Sequence, residues 1–136
     1  MNLIETIQAL SLREKEELYS HIGQLILEEK FYKENERLRK TEEIKMAVCS
    51  AMGVSAYDPT NRKRQNVIVR VITANVLLGI GCTENSVGKA MGKDRSTIYH
   101  YKETLKTWIK YPGFYKEEVT IWNKIKQEYE TDERTI

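Results

Sequence analysis

Apolar residues recur every three or four positions along most of the chain, which is the spacing that places them on one face of an α-helix. Residues 1–40 predict a short first helix and then a long one, with Ser11 as its N-cap and Glu14 completing a capping box. The apolar positions of the long helix share one face: Leu18, Ile22, Leu25, Ile26 and Tyr32. Such a stripe requires an apolar partner, either the rest of this chain or a second copy of it.

The middle of the chain continues the helical pattern. Thr41 is predicted to begin a helix that ends at Gly53, and Asp58-Pro59 indicates a turn after it. Residues 64–78 are apolar on nearly all sides. Their β-branched content is compatible with a strand, but the length of the run favours a buried central helix.

Two further helices are predicted from their caps. Thr83 begins a short helix that Gly92 ends, and Asp94 is placed to cap a longer helix whose inward face includes Ile98 and Leu105. A final helix is expected over residues 115–129, followed by a frayed tail. The predicted fold is all-α in three parts: a helical arm (1–40), a compact helix-turn-helix domain (41–110), and a C-terminal helix with its frayed tail (111–136).

Composition restricts the class of protein. The chain has 136 residues, of which 40% are hydrophobic and 31% charged, and it contains only two prolines. No basic stretch followed by an apolar one suggests a secretory signal, and no apolar run approaches the roughly 18 residues that span a bilayer. Cys49 and Cys82 are therefore expected as reduced thiols of a cytoplasmic protein, and two cysteines and two distant histidines do not predict a metal site.

Charge is distributed unevenly. Residues 1–45 hold eight Lys/Arg and ten Asp/Glu, whereas residues 57–110 hold ten basic and four acidic side chains, a net charge of +6. Residues 111–136 hold four basic and six acidic side chains. A basic middle between acidic flanks is the distribution expected when one segment binds a polyanion, although clustering on a solvated surface would also produce it.

Residues 83–109 combine a short helix, a glycine turn and a longer helix, which is the helix-turn-helix arrangement. The second helix of such a pair inserts its N-terminal residues into the major groove of DNA. Arg95 could donate two parallel hydrogen bonds to guanine, and Ser96 could contact a base or a phosphate. Lys89, Lys93 and Lys102 lie near enough along the chain to neutralise phosphates. The partner predicted from these residues is double-stranded DNA.

The run Gly88-Lys-Ala-Met-Gly-Lys-Asp-Arg-Ser-Thr-Ile-Tyr-His100 resembles the signature of the C-terminal DNA-binding domain of the bacterial replication initiator DnaA, and weaker similarity extends the match to about residues 42–107. The resemblance implies a helix-turn-helix fold of the TrpR/DnaA C-terminal type. It also implies that Arg70 enters the minor groove while residues 93–97 approach bases or backbone in the major groove. The residues predicted to bind DNA are Arg62, Arg64, Arg70, Lys89, Lys93, Asp94, Arg95, Ser96, Thr97, Tyr99 and His100.

Departures from that signature affect specificity. Arg95 stands where the family has histidine, Ser96 where it has threonine, and Ile68-Val69 where it has arginine and proline. DNA binding is still expected after these changes, but recognition of the initiator's own DNA site does not follow.

No spacing of residues indicates catalysis, a cofactor or a nucleotide. The one Walker-like run, from Gly81 to Ala90, has the wrong glycine spacing and an alanine where Mg²⁺ requires a hydroxyl. We therefore expect a non-enzymatic DNA-binding protein without an ATPase module, acting in transcriptional regulation or replication, with a phage or mobile element as one candidate origin. The alternative is a helical adaptor that binds a protein through residues 1–40 and 115–129. Residues 1–40 could also form a homodimer.

Overall fold

Helices make up the regular structure of this protein. The computed structural model describes residues 2–133, with side chains described through residue 129, and this part of the chain contains seven α-helices and no strand. They are α1 (Leu3–Gln8), α2 (Leu12–Leu38), α3 (Thr41–Met52), α4 (Arg64–Gly79), α5 (Glu84–Met91), α6 (Arg95–Lys110) and α7 (Lys116–Glu133). The predicted all-α class is confirmed, and the segment that could have been a strand is the helix α4.

The chain forms two compact units, Met1–Lys33 and Glu34–Ile136, and the boundary between them falls within α2. The last turn of α2 belongs to the second unit because its side chains bond there. The Glu34 carboxylate accepts hydrogen bonds from the Thr83 amide (3.3 Å) and hydroxyl (3.1 Å), and Arg37 donates to the Gly81 carbonyl (3.5 Å).

The helices of the first unit have well-formed N-terminal caps but bury no residue. Asn2 caps α1, and the predicted capping box before α2 is present, since the Ser11 hydroxyl accepts from the Glu14 amide (3.2 Å) and the Glu14 carboxylate accepts from the Ser11 amide (3.0 Å). Hydrogen bonding of its carboxylate to the Ser11 backbone and side chain lowers the pKa of Glu14. No residue of α2 is buried, and its apolar side chains are largely exposed.

The second unit is built around α4, which packs against α3, α5, α6 and α7. Its inaccessible side chains include Ile72 and Leu77, which share the core with Ile44 of α3, Ile98 of α6 and Ile125 of α7. The run that is apolar on all sides is therefore a central helix because neighbours cover it all around.

The C-terminal helix is part of this core and not an appendage. Trp122, Ile125 and Tyr129 of α7 are buried, and α7 packs on α3 and α4. Helix α7 continues through Glu133, and residues 134–136 of the predicted tail lie outside the described residues, so the fraying of the tail stays a prediction.

Candidate nucleic-acid interface

The turn between α5 and α6 depends on glycine. Gly92 adopts a left-handed conformation (φ 67°), and the Lys93 amide donates to the Gly88 carbonyl at 2.8 Å. A Cβ atom built on Gly88 would lie 2.6 Å from the Lys93 carbonyl oxygen, closer than real Cβ atoms approach. Gly88 therefore allows the start of α6 to lie directly against α5, as the predicted helix-turn-helix requires.

Both helices begin with the predicted caps. The Thr83 hydroxyl accepts a hydrogen bond from the Ser86 amide at 3.2 Å, and Asp94 Oδ1 accepts from the Thr97 amide at 2.8 Å. Asp94 Oδ1 also accepts from the Ser96 hydroxyl at 2.8 Å. Hydrogen bonds from Thr97 and then from Ser96 lower the pKa of Asp94, so this carboxylate is charged at neutral pH and fixes the first turn of α6.

The outward face of α6 presents polar side chains from its first two turns. Ile98 and Leu105 are buried on the inner face, whereas Arg95, Ser96, Tyr99 and His100 are all exposed. The Arg95 side chain is 70% exposed. Thr97 is half-buried, and its role in the structure is to bond the cap. The structure thus brings together the predicted residues of α6 on one accessible face.

An acidic residue that the sequence analysis did not predict lies at the edge of this face. Glu84, the first residue of α5, accepts a hydrogen bond from Arg95 Nε at 3.3 Å, and its other oxygen lies 3.8 Å from Lys102 Nζ. Only Nε of Arg95 takes part in this bond, so the two terminal nitrogens of its guanidinium remain available to a ligand. The contact joins residues eleven positions apart on two helices, and no local motif identifies it.

Two of the predicted DNA-binding arginines have structural partners instead. Arg70 is only 6% exposed. Its Nη1 donates to the carbonyls of Asp58 (2.9 Å) and Asn61 (2.7 Å), and its Nε donates to the Tyr101 hydroxyl (3.3 Å). The expected minor-groove contact by Arg70 is therefore corrected: its side chain points into the protein and ties the loop after α3 to α6.

Arg64 is similarly engaged at the start of α4. Its guanidinium bonds the carboxylates of Glu117 (3.1 Å) and Glu118 (2.6 Å) on α7. Its guanidinium is therefore paired within the protein, although the side chain is 58% exposed, and its predicted place at the interface stays a prediction. Of the other predicted cations, Arg62 and Lys89 are exposed and Lys93 is half-buried.

Other kinds of site have little support in residues 2–133. Burial raises the pKa of Cys82 to about 11 and also raises the pKa of Cys49, so both are protonated thiols at neutral pH. No group of three His, Cys, Asp or Glu side chains in this part of the chain is placed to hold a metal ion. Within the same residues, no helix combines the length and apolar character needed to cross a membrane.

No family model matches the sequence, and no curated protein or solved structure matches the chain. The resemblance of residues 88–100 to the DnaA C-terminal domain therefore stays a prediction. The exposed face of α5 and α6 is the feature from which function is inferred.

Proposed function

We propose that this chain is a cytoplasmic, sequence-specific double-stranded DNA-binding protein that inserts the first two turns of α6 into the major groove and catalyses no reaction. The observation that supports this proposal is the exposed group of Arg95, Ser96, Tyr99 and His100 directly after a turn that Gly88 keeps tight. A helix end that is both accessible and braced by a second helix is the arrangement by which helix-turn-helix proteins read bases.

The charge around the turn suits a phosphate backbone. Lys89, Lys93, Arg95 and Lys102 surround it, against the carboxylates of Glu84 and Asp94. Positive charge on this scale steers a protein to DNA and supplies the part of the affinity that does not depend on sequence. The carboxylates have internal partners, and they leave the surface cationic overall.

Arg95 is the residue proposed to read a base. End-on recognition of guanine uses the two terminal nitrogens of arginine, which donate to O6 and N7. Glu84 holds Nε at 3.3 Å and so limits the orientations of the guanidinium without occupying those nitrogens. Glu84 is therefore a positioning residue for base recognition in this proposal.

Selection of bound fragments from a random duplex library tests the proposal. The wild-type protein should select a defined site, and Arg95→Ala should lose discrimination at one base pair by about 1–3 kcal/mol. Arg13→Ala is the matched control, because it removes an arginine side chain that is 89% exposed and lies in the other unit; this variant should select the wild-type site. An identical site and affinity for Arg95→Ala would contradict base reading by α6.

The proposed DNA binding would serve transcriptional regulation or replication. The competing hypothesis of a helical adaptor using both terminal segments is weakened because α7 buries Trp122, Ile125 and Tyr129 in the core. An adaptor would show no salt-dependent binding to duplex DNA, so a titration of binding against salt separates the two hypotheses.

A further inference from the structure

The first unit leaves a continuous apolar surface uncovered on α2. We call it the α2 face; its members are Leu18, Tyr19, Ile22, Leu25 and Ile26. Tyr19 is 82% exposed, and Ile22, Leu25 and Ile26 are each 44–49% exposed. A helix of 27 residues without one buried side chain gains little stability from its own chain, because helices in proteins are stabilised chiefly by packing an apolar face.

The charges at the two ends of the α2 face indicate what covers it. Lys15 and Glu29 stand seven residues before and after Ile22, and seven residues are nearly two full turns, so all three lie on one line along the helix. If two copies of α2 paired in parallel, Lys15 would meet Lys15 and Glu29 would meet Glu29. If they paired antiparallel about Ile22, each Lys15 would meet a Glu29 of the other copy.

From this arrangement we propose that the protein forms a homodimer in which the two α2 helices pair antiparallel, with Ile22 opposite its own copy at the two-fold axis. The same register sets Leu18 opposite Ile26 and Tyr19 opposite Leu25. In this register apolar residues face apolar residues and each Lys15 faces a Glu29. The surface is thus complementary to itself, which is the condition for an interface between identical subunits. This inference does not depend on DNA binding.

The antiparallel register also explains why an ionisable residue, Lys15 or Glu29, lies at each end of the apolar α2 face. Lys15 has a long aliphatic stem that can cover apolar surface, and opposite charges across a helix seam specify orientation. Glu29 bonds Lys33 at 3.2 Å on the exposed surface, and such a pair within one helix is weak enough to exchange for a contact between subunits.

Sedimentation equilibrium on the full chain tests the dimer and its orientation. The wild-type protein should be a dimer at micromolar concentration. Ile22→Glu should be a monomer whose loss of helical circular dichroism does not exceed the contribution of α2. Lys15→Glu and Glu29→Lys should each weaken dimerisation roughly ten- to hundredfold, because each variant puts like charges together at two places in the dimer. The double variant Lys15→Glu/Glu29→Lys should restore it.

Arg13→Glu is the matched control, because it reverses an exposed charge on the opposite side of α2 and should leave the dimer unchanged. A wild-type monomer at about 100 µM would overturn the proposal, as would single charge reversals that leave the dimer constant intact. Cysteine substitution checks the register directly: a mixture of Leu18→Cys and Ile26→Cys chains should crosslink, whereas Leu18→Cys alone should not. Self-crosslinking of Leu18→Cys would establish a parallel pair and refute the antiparallel one.

Discussion

Replacing Gly88 by alanine is the sharpest test of how the helix-turn-helix is built. The added Cβ would lie 2.6 Å from the Lys93 carbonyl oxygen and 3.5 Å from the Asp94 carbonyl carbon. Both atoms belong to the main chain of the turn, so neither can rotate away as a side chain would. Relief therefore requires the turn to move away from α5, and Asp94, the N-cap of α6, moves with it.

Two opposing effects set the size of the change. Inserting a methyl group into a packed site costs typically about 1–3 kcal/mol, and a main-chain neighbour favours the upper part of that range. Alanine recovers up to about 1 kcal/mol in a helix interior relative to glycine. The net loss expected for Gly88→Ala is therefore about 1–2 kcal/mol of the free energy of unfolding, which is roughly 5–10 °C in Tm for a unit of this size.

Thermal and urea unfolding measure this loss. Gly79→Ala is the matched control, because Gly79 also lies in a helix and has nothing within 4 Å of its would-be Cβ; it should be as stable as the wild type or slightly more so. In the proposed function, Gly88→Ala should also weaken duplex binding, since the first turn of α6 is displaced. A Gly88→Ala protein as stable as Gly79→Ala would refute the close approach of the turn to α5.

Three other substitutions have distinct expected outcomes. Arg70→Met should lower the free energy of unfolding by roughly 2–4 kcal/mol, because hydrogen bonds to a charged donor are lost in the interior; a loss of DNA affinity at unchanged stability would contradict the structural role. Asp94→Ala should lower Tm at pH 7. Because the pKa of Asp94 is depressed in the folded state, its stabilisation is present above pH ~4 and is lost as the pH falls through the depressed pKa, so the two proteins should converge in acid; a constant difference down to pH 2 would argue against the charged cap. Glu84→Gln should raise total DNA affinity by removing a negative charge while reducing the preference at the base pair read by Arg95, measured by duplex selection.

Local signals in the sequence were sufficient to predict where most of the helices begin and end. Ser11, Thr83 and Asp94 each accept the cap hydrogen bond that their residue type predicts, and Gly53 and Gly92 adopt the left-handed conformation expected after a helix. These features depend on neighbours within a few residues, so one sequence contains the information. The same is true of α4, whose apolar residues lie on nearly all sides of the helix and therefore favour burial all around.

Long-range partners could not be predicted in the same way. Nothing near Arg70 in the sequence indicates that two carbonyls from the preceding loop and the Tyr101 hydroxyl, 31 residues later, converge on its guanidinium. The ion pairs of Arg64 with α7 likewise join residues more than 50 positions apart. A basic residue in a DNA-binding pattern can serve the surface or the interior, and only the fold of the chain around it decides between them.

Some cations of the basic middle segment have partners within the protein, so fewer are available to neutralise phosphates. DNA binding should therefore depend less steeply on salt. Of the ten basic residues in positions 57–110, Arg64 and Arg70 have partners within the protein. The cations around the turn are Lys89, Lys93, Arg95 and Lys102, and Arg62 lies on the loop before α4. If these contact three or four phosphates, the slope of log Kobs against log salt should be about −3 to −4, since each phosphate contributes roughly −0.9. The slope should stay the same for Arg64→Gln and become less steep by about one for Lys89→Gln. A wild-type slope near −8 would mean that the arginines buried or paired in this structure also reach DNA, and the proposed interface would then be wrong.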